Sequence, residues 1–222
     1  MGRNDLVGPI GDTLRETTRP LHPPRALQDL LARLREYPVI PAVRGMEDVQ
    51  EACRRGVAAI FFFKGDVFAL REALGFCGRA GVPVYVHLDL VDGVGKDAAG
   101  VRVLKELGAA GVVSTRGLLL REARAAGLLS IHRVFTVDSE ALRTGIAAVR
   151  TSEADLVEVL PGLAVPYVIG ELRSALAQPV IAAGLLTQVD PVRAVLHAGA
   201  VGVSVSARRL WGLRLADLPS RP

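Results

Sequence analysis

Residues 83–100 read PVYVHLDLVDGVGKDAAG, an apolar strand that ends in a crowd of ionisable side chains. Alternate side chains of a strand share a face, so Val84, Val86, Leu88 and Leu90 point one way and Tyr85, His87 and Asp89 the other. In a parallel sheet covered by helices the aliphatic set packs under them, and the polar set faces an interior that tolerates charge. The loop that follows holds Asp92, two glycines, Lys96 and Asp97, and can bring backbone N–H groups and an ammonium close to an anion. Two plainer readings stand beside this one. His87 and Asp89 could form a hydrogen-bonded structural pair. A metal on them would want a third carboxylate, and no Cys or His cluster accompanies it, so no metal is expected.

Outward from this stretch, short aliphatic runs alternate with helical patterns. Strands are expected at 39–43, 58–63, 84–89, 111–114, 129–135, 155–160, 179–182 and 200–204. Between them lie amphipathic helices. Val67, Leu70, Leu74 and Cys77 line one face of a helix that Asp66 would cap, and Thr187 with Asp190 three residues on resembles a capping box. Gly81, Gly108, Gly127 and Gly199 stand where helices should stop. Eight strands, each followed by a helix, have the rhythm of an α/β fold of one kind: a single (β/α)8 TIM barrel. An open doubly wound sheet competes, but Val43-Arg44-Gly45-Met46 follows the first strand where a dinucleotide glycine fingerprint would stand.

At the amino end, Leu27, Leu30, Leu31 and Leu34 mark a helix over 25–36, placed to plug one end of the barrel as an N-terminal capping helix. The expected organisation is a loose tail over 1–24, one barrel domain over 25–212 and a C-terminal tail over 213–222. His22 falls in the first tail and reads as solvent-facing.

The chain has 222 residues, half of them hydrophobic, enough for one well-buried domain. Cys53 and Cys77 sit in helical contexts with no secretory signal before them, which suggests free thiols and a cytoplasmic protein. No apolar run reaches the length of a membrane span. Lys64, Lys96 and Lys105 are the only lysines, so the net charge of +4 is carried by arginine. Arginine suits phosphate or nucleic acid, and it also follows from an Ala, Leu, Val and Gly-rich composition.

In such a barrel the carboxyl ends of the strands form the working face. They carry Arg44, then Lys64, Gly65 and Asp66, then His87, Asp89 and Asp92, then Ser114 and Thr115. His132 or Arg133 follows, with the inward one undecided, and then Glu158 between valines. A carboxylate there wants a partner, which Lys64, Arg133 or a ligand hydroxyl could supply. After strands seven and eight come Ala183-Gly184-Leu185 and the face of Gly202, Ser204 and Ser206, then a short helix with Arg208, Arg209 and Trp211. Small residues at that place allow a phosphate to approach backbone N–H groups, and could equally fill a tapering barrel.

The motifs IFFFKGD, VHLDLVDGVGKD, GVVSTRG, LLSIHRVFTVDS, EVLPG, AAGLLT and GAVGVSVSARRLW, in this order over 37–211, resemble the glycerol-3-phosphate-responsive antiterminator family of bacteria. The resemblance implies a regulator without a catalytic residue or cofactor, whose effector is glycerol 3-phosphate and whose partner is an mRNA leader. Homo-oligomerisation stays open, and no membrane is involved. The phosphate would sit on N–H groups around Gly184, Leu185 and Ser206, with Ser204 near and Lys96 or Arg208 helping. The glycerol end would meet Arg44, Lys64, Asp66, His87, Asp89, Asp92, Arg133 and Glu158. The chain departs from the family pattern at Asp92 where Glu is expected, at Lys64 where a small hydroxyl residue is expected, and at Ala183 where the first of two glycines is expected. Candidates for an RNA surface are Arg116, Arg121, Arg124, Arg143, Arg150, Arg208, Arg209 and Arg214. The rival class is an enzyme acting on a small phosphorylated polyol or sugar. There Glu158 and Asp89 would exchange protons, with Lys64 or Lys96 as a possible amine.

Overall fold

A computed structural model describes residues 24–218. The expected tail over 1–24 therefore lies outside the described residues except for Pro24. Eight parallel strands close into a barrel: β1 (Val39–Val43), β2 (Ile60–Phe62), β3 (Val84–His87), β4 (Gly111–Ser114), β5 (Leu129–Phe135), β6 (Leu156–Leu160), β7 (Val180–Ala183) and β8 (Gly202–Val205). Each strand pairs with its neighbours in sequence, and β1 closes the ring against β8 with Ile40 opposite Ser204. The helices are α1 (Arg25–Leu34), α2 (Met46–Arg54), α3 (Val67–Ala80), α4 (Ala98–Glu106), α5 (Gly117–Ala125), α6 (Ser139–Ser152), α7 (Val165–Ala175) and α8 (Val189–Ala198). After β8 the described chain makes two 3₁₀ turns, Arg208–Leu210 and Leu215–Asp217, in place of an α-helix.

The strands are buried on both faces, and alternation sorts their side chains into two cores. Val39, Val84, Val86, Val112 and Val157 point outward and pack under the helices. Ile40, Phe61, Tyr85, Val113, Ile131, Leu156 and Ile181 point inward. Leu27, Leu30 and Leu34 of α1 join this inner cluster, so α1 closes the amino end of the barrel. Burying each leucine contributes about 2 kcal/mol. Gly202 makes that closure possible, because a Cβ there would lie 3.1 Å from the Pro38 carbonyl and 3.2 Å from the Leu34 side chain.

Two expectations are corrected. β3 stops at His87 and the chain enters a 3₁₀ turn, Leu88–Leu90, so Asp89 does not share the strand face of Tyr85 and His87. α8 starts at Val189 with Gln188 as its cap, so Thr187 and Asp190 do not form a capping box. Residues 213–218, expected as part of a C-terminal tail, run back against the barrel. Leu218 is buried, and the Leu215 N–H donates to the Glu36 carbonyl at 2.9 Å.

Candidate functional site

The site lies at the carboxyl ends of the strands, above the apolar inner core. Strand alternation lifts His87 to this level two residues after Tyr85. Its buried ring stands edge-on to Phe61 at 5.6 Å and Phe63 at 5.3 Å. On β5 the inward residue is Arg133. His132 points the other way, with Nδ1 2.7 Å from the Ser152 hydroxyl of α6. Arg133 and Glu158 are register partners on β5 and β6, so two charged side chains enter the barrel side by side.

Arg133 organises the cluster. Its guanidinium lies over Phe63 at 5.4 Å and Phe135 at 5.5 Å, which hold its plane. Nη1 donates to His87 Nδ1 at 3.1 Å, which puts the imidazole proton on Nε2. That Nε2 is 3.9 Å from Glu158 Oε1. The contact is not an ion pair, because burial, and then the charge of Arg133, holds His87 well below the usual imidazole range. Burial pushes the Glu158 carboxyl up to about 7, against the opposing pull of Arg133. Glu158 Oε2, Arg133 Nε and His87 Nε2 are buried without a hydrogen-bond partner among the described residues. One acceptor and two donors therefore converge where a polar ligand would satisfy them.

Across the mouth, the chain leaves β7 through a turn in which Gly184 and Leu185 have φ of +77° and +60°. Leucine rarely adopts this conformation, which costs about 1 kcal/mol or more, and its side chain is turned out to solvent. The turn is anchored by Gly162, whose N–H donates to the Gly184 carbonyl at 3.0 Å. The N–H groups of Leu185, Leu186 and Thr187 donate to no acceptor among the described residues. Ser204 is buried at the end of β8, opposite Ala183, and Ser206 follows it. Together these elements enclose a cavity of about 150 Å³.

Seven residues singled out in the sequence line this cavity: Arg44, Arg133, Glu158, Gly184, Leu185, Ser204 and Ser206. His87 adjoins it through Arg133 and Glu158. The other candidates are placed elsewhere. Asp89 Oδ2 accepts from the Ser114 hydroxyl at 2.8 Å and the Thr115 N–H at 2.9 Å, which ties the loop after β3 to that after β4. Asp66 caps α3 by accepting from the N–H groups of Phe68 and Ala69. Asp66 pairs with Asp92 in a small two-stranded sheet outside the barrel. Lys64 is exposed. Lys96 Nζ donates to the Leu88 and Val91 carbonyls, and so shapes its own loop. Arg208 is held by Glu47 and Asp48, both at 2.6 Å.

Sequence reading missed Phe63, which both lines the cavity and orients two arginines, since Arg44 also lies over its ring at 5.5 Å. A run of three consecutive phenylalanines was the available signal, but only the closed barrel shows which of them reaches the mouth. A larger groove of about 530 Å³ runs along α7 and α8 on the outer wall and contains none of the strand-end residues. No helix among the described residues is long and apolar enough to cross a membrane.

Comparison with known proteins agrees with the barrel fold. Residues 39–211 match the family described as glycerol-3-phosphate responsive antiterminator. The chain is 32% identical over 185 residues to the uncharacterized protein YgcP of Escherichia coli (strain K12), covering 83% of this chain and 96% of that one. Among solved structures, the glycerol uptake operon antiterminator regulatory protein of Listeria monocytogenes superposes with a TM-score of 0.73 at 30% identity, over 78% of this chain and 94% of that one. A glycerol uptake operon antiterminator-related protein of Thermotoga maritima gives 0.72 at 30% identity, over 80% and 99%. A deoxyribose phosphate aldolase from Aeropyrum pernix, at 0.60 and 17% identity over 84% and 95%, shares the fold alone. The chain is therefore a (β/α)8 barrel that belongs to the glycerol-3-phosphate responsive antiterminator family.

Proposed function

We propose that this protein is a cytoplasmic regulator that binds glycerol 3-phosphate in the barrel mouth and, when occupied, acts on an mRNA leader to let transcription pass a terminator. One observation carries the ligand half. The buried unpartnered atoms of Arg133 and Glu158, with that of His87 adjoining, stand at one small cavity with the free N–H groups that follow Gly184. A ligand that fits both needs hydroxyl groups at one end, to donate to Glu158 Oε2 and accept from His87 Nε2–H, and an anion at the other. A glycerol phosphate has that polarity. Ala183 is compatible with the arrangement, because its place opposite Ser204 leaves the anion to the N–H groups beyond it.

Occupancy would act by binding one conformation of the strand-end loops better than another, which is the requirement for any effector. Calorimetric titration with glycerol 3-phosphate, glycerol and inorganic phosphate tests the ligand. Micromolar binding of the first and none of the others is expected, and equal binding of phosphate alone would defeat it. Filter binding of a leader transcript with and without the effector tests the RNA half.

A second reading, an enzyme acting on a small phosphorylated polyol, draws on Glu158, whose pKa of about 7 suits proton exchange. Two of the three lysines, Lys64 and Lys96, stand at the strand ends, but neither lines the cavity, so an amine for covalent catalysis is not in place. Turnover of a polyol phosphate by the pure protein would favour this reading.

A further inference from the structure

We infer that RNA is held on the closed end of the barrel, opposite the effector cavity, along the arc where α5, α6 and α7 end. This rests on the RNA half of the reading above.

The helix termini at the two ends of the barrel carry opposite charge. Helices start at the mouth, where Glu47, Asp48, Asp66, Asp97, Asp138 and Glu140 occupy caps and first turns. They finish at the closed end, where the last turns of α2 to α7 hold Arg54, Arg79, Lys105, Arg124, Arg150 and Arg173, and that of α1, which plugs this end, holds Arg33. Helix dipoles favour this arrangement and explain it as stability. Its consequence reaches further, because a polyanion is repelled by one end and drawn to the other.

The state of each arginine sharpens the choice. At the mouth three exposed arginines meet carboxylates, Arg116 with Asp89 at 3.3 Å, Arg143 with Glu140, and Arg208 with Glu47 and Asp48, while Arg209 donates to the Thr187 carbonyl and Lys64 is exposed. At the closed end Arg54 pairs with Glu51 at 2.5 Å, but along the arc from α5 to α7 three of the four arginines Arg121, Arg124, Arg150 and Arg173 are held by carbonyl oxygens of the next helix, which orient a guanidinium without cancelling its charge. Arg121 Nη1 donates to the Thr151 carbonyl at 3.2 Å, Arg150 Nη2 to Ala175 at 3.0 Å and Arg173 Nη2 to Gly199 at 2.8 Å. Arg124 is the exception, paired with Glu153 at 3.1 Å. The result is a row of preset guanidinium groups stepping from helix to helix. A cleft of about 360 Å³ opens beside them, lined by Arg124, Arg150 and Gln178, and by Glu153, which pairs with Arg124. Guanidinium forks match phosphate oxygens, and the cleft contains no aromatic side chain, so the contact is to the RNA backbone.

The test uses the full chain, a poly(U) RNA and fluorescence anisotropy across a series of KCl concentrations. Arg150→Gln with Arg173→Gln should weaken binding at least tenfold. It should also flatten the dependence of log affinity on log salt by roughly 0.7 per lost phosphate contact. Arg143→Gln, at the mouth, should change neither, and the Arg150→Lys, Arg173→Lys pair should retain binding if the melting temperature is kept. Calorimetric binding of glycerol 3-phosphate should be untouched by all of them. Loss of RNA binding in Arg143→Gln equal to that of the closed-end pair, or no loss in that pair, overturns this assignment alone. Wild-type protein that binds neither poly(U) nor a leader transcript overturns it together with the RNA half of the proposed function, while the effector half stands on its own titration.

Discussion

Arg133 and Glu158 are register partners on adjacent strands with Nε 3.5 Å from Oε2, yet neither atom completes a hydrogen bond. A buried ion pair left short of contact gains little to set against the loss of hydration. The arrangement makes sense as one prepared for a third polar group, and it gives the protein measurable pH behaviour.

In the unfolded chain Glu158 loses its proton near 4.5, and in the folded protein only near 7. Between those values the native state holds the extra proton, so stability should fall as pH rises through this window, by up to about 3 kcal/mol. Glu158→Gln should remove that slope. Urea midpoints at pH 5 and pH 8 check it, and parallel profiles for the two proteins would count against a buried, proton-holding carboxyl. His87 acts with the opposite sign. Its folded pKa is depressed, so its contribution is present above about 6.5 and is lost as pH falls below that value.

Arg133→Lys keeps the charge but loses the planar group that lies over Phe63 and Phe135 and donates to His87. Affinity for glycerol 3-phosphate should drop at least tenfold, about 1.4 kcal/mol, with the fold intact. Calorimetry reads the result, and wild-type affinity in this variant would remove Arg133 from the ligand site.

Leu185 offers a backbone test. Leu185→Gly relieves the left-handed strain at φ +60°, offsetting the greater freedom of glycine in the unfolded chain, so stability should stay within about 1 kcal/mol. Ligand binding should persist if the contact is to the N–H. Leu185→Pro deletes that N–H and cannot adopt the angle, so it should abolish binding. Titration of both variants separates backbone recognition from any role of the exposed leucine side chain.

Gly100, at the start of α4, lets the chain pass close to the preceding loop. A Cβ there would lie 1.8 Å from the Gly95 carbonyl oxygen, and its N–H donates to Asp97 Oδ1 at 2.8 Å. Gly100→Ala should cost about 1–3 kcal/mol or more and loosen the loop that Lys96 pins. Urea unfolding measures the first effect, and faster proteolysis between Leu90 and Asp97 the second.

Periodicity and punctuation made the barrel legible. Aliphatic runs of strand length, helices with one apolar face, and glycines at the ends of α3, α4, α5 and α8 are local signals, and each of those glycines has positive φ in the structure. Half of the fourteen site candidates line the cavity because strand alternation and the polarity of a parallel barrel determine which side chains reach the mouth. Lys96, Arg208 and Asp66 looked equally apt in the sequence. Their nearest partners are loop carbonyls, the acids of α2 and the N–H groups of α3, and only Arg208's acids are remote in the chain.

What the residue order settled by itself was the architecture and the identity of the charges at its open end, since both follow from the chemistry of short segments. What awaited the tertiary structure was the state of those charges. Whether Arg133 faces in, whether His87 is neutral, and whether a given arginine meets a carboxylate or a bare carbonyl depend on atoms brought together from separate segments of the chain. Ring closure alone sets those distances, and over a few ångströms in a dry interior they decide the sign and strength of each interaction.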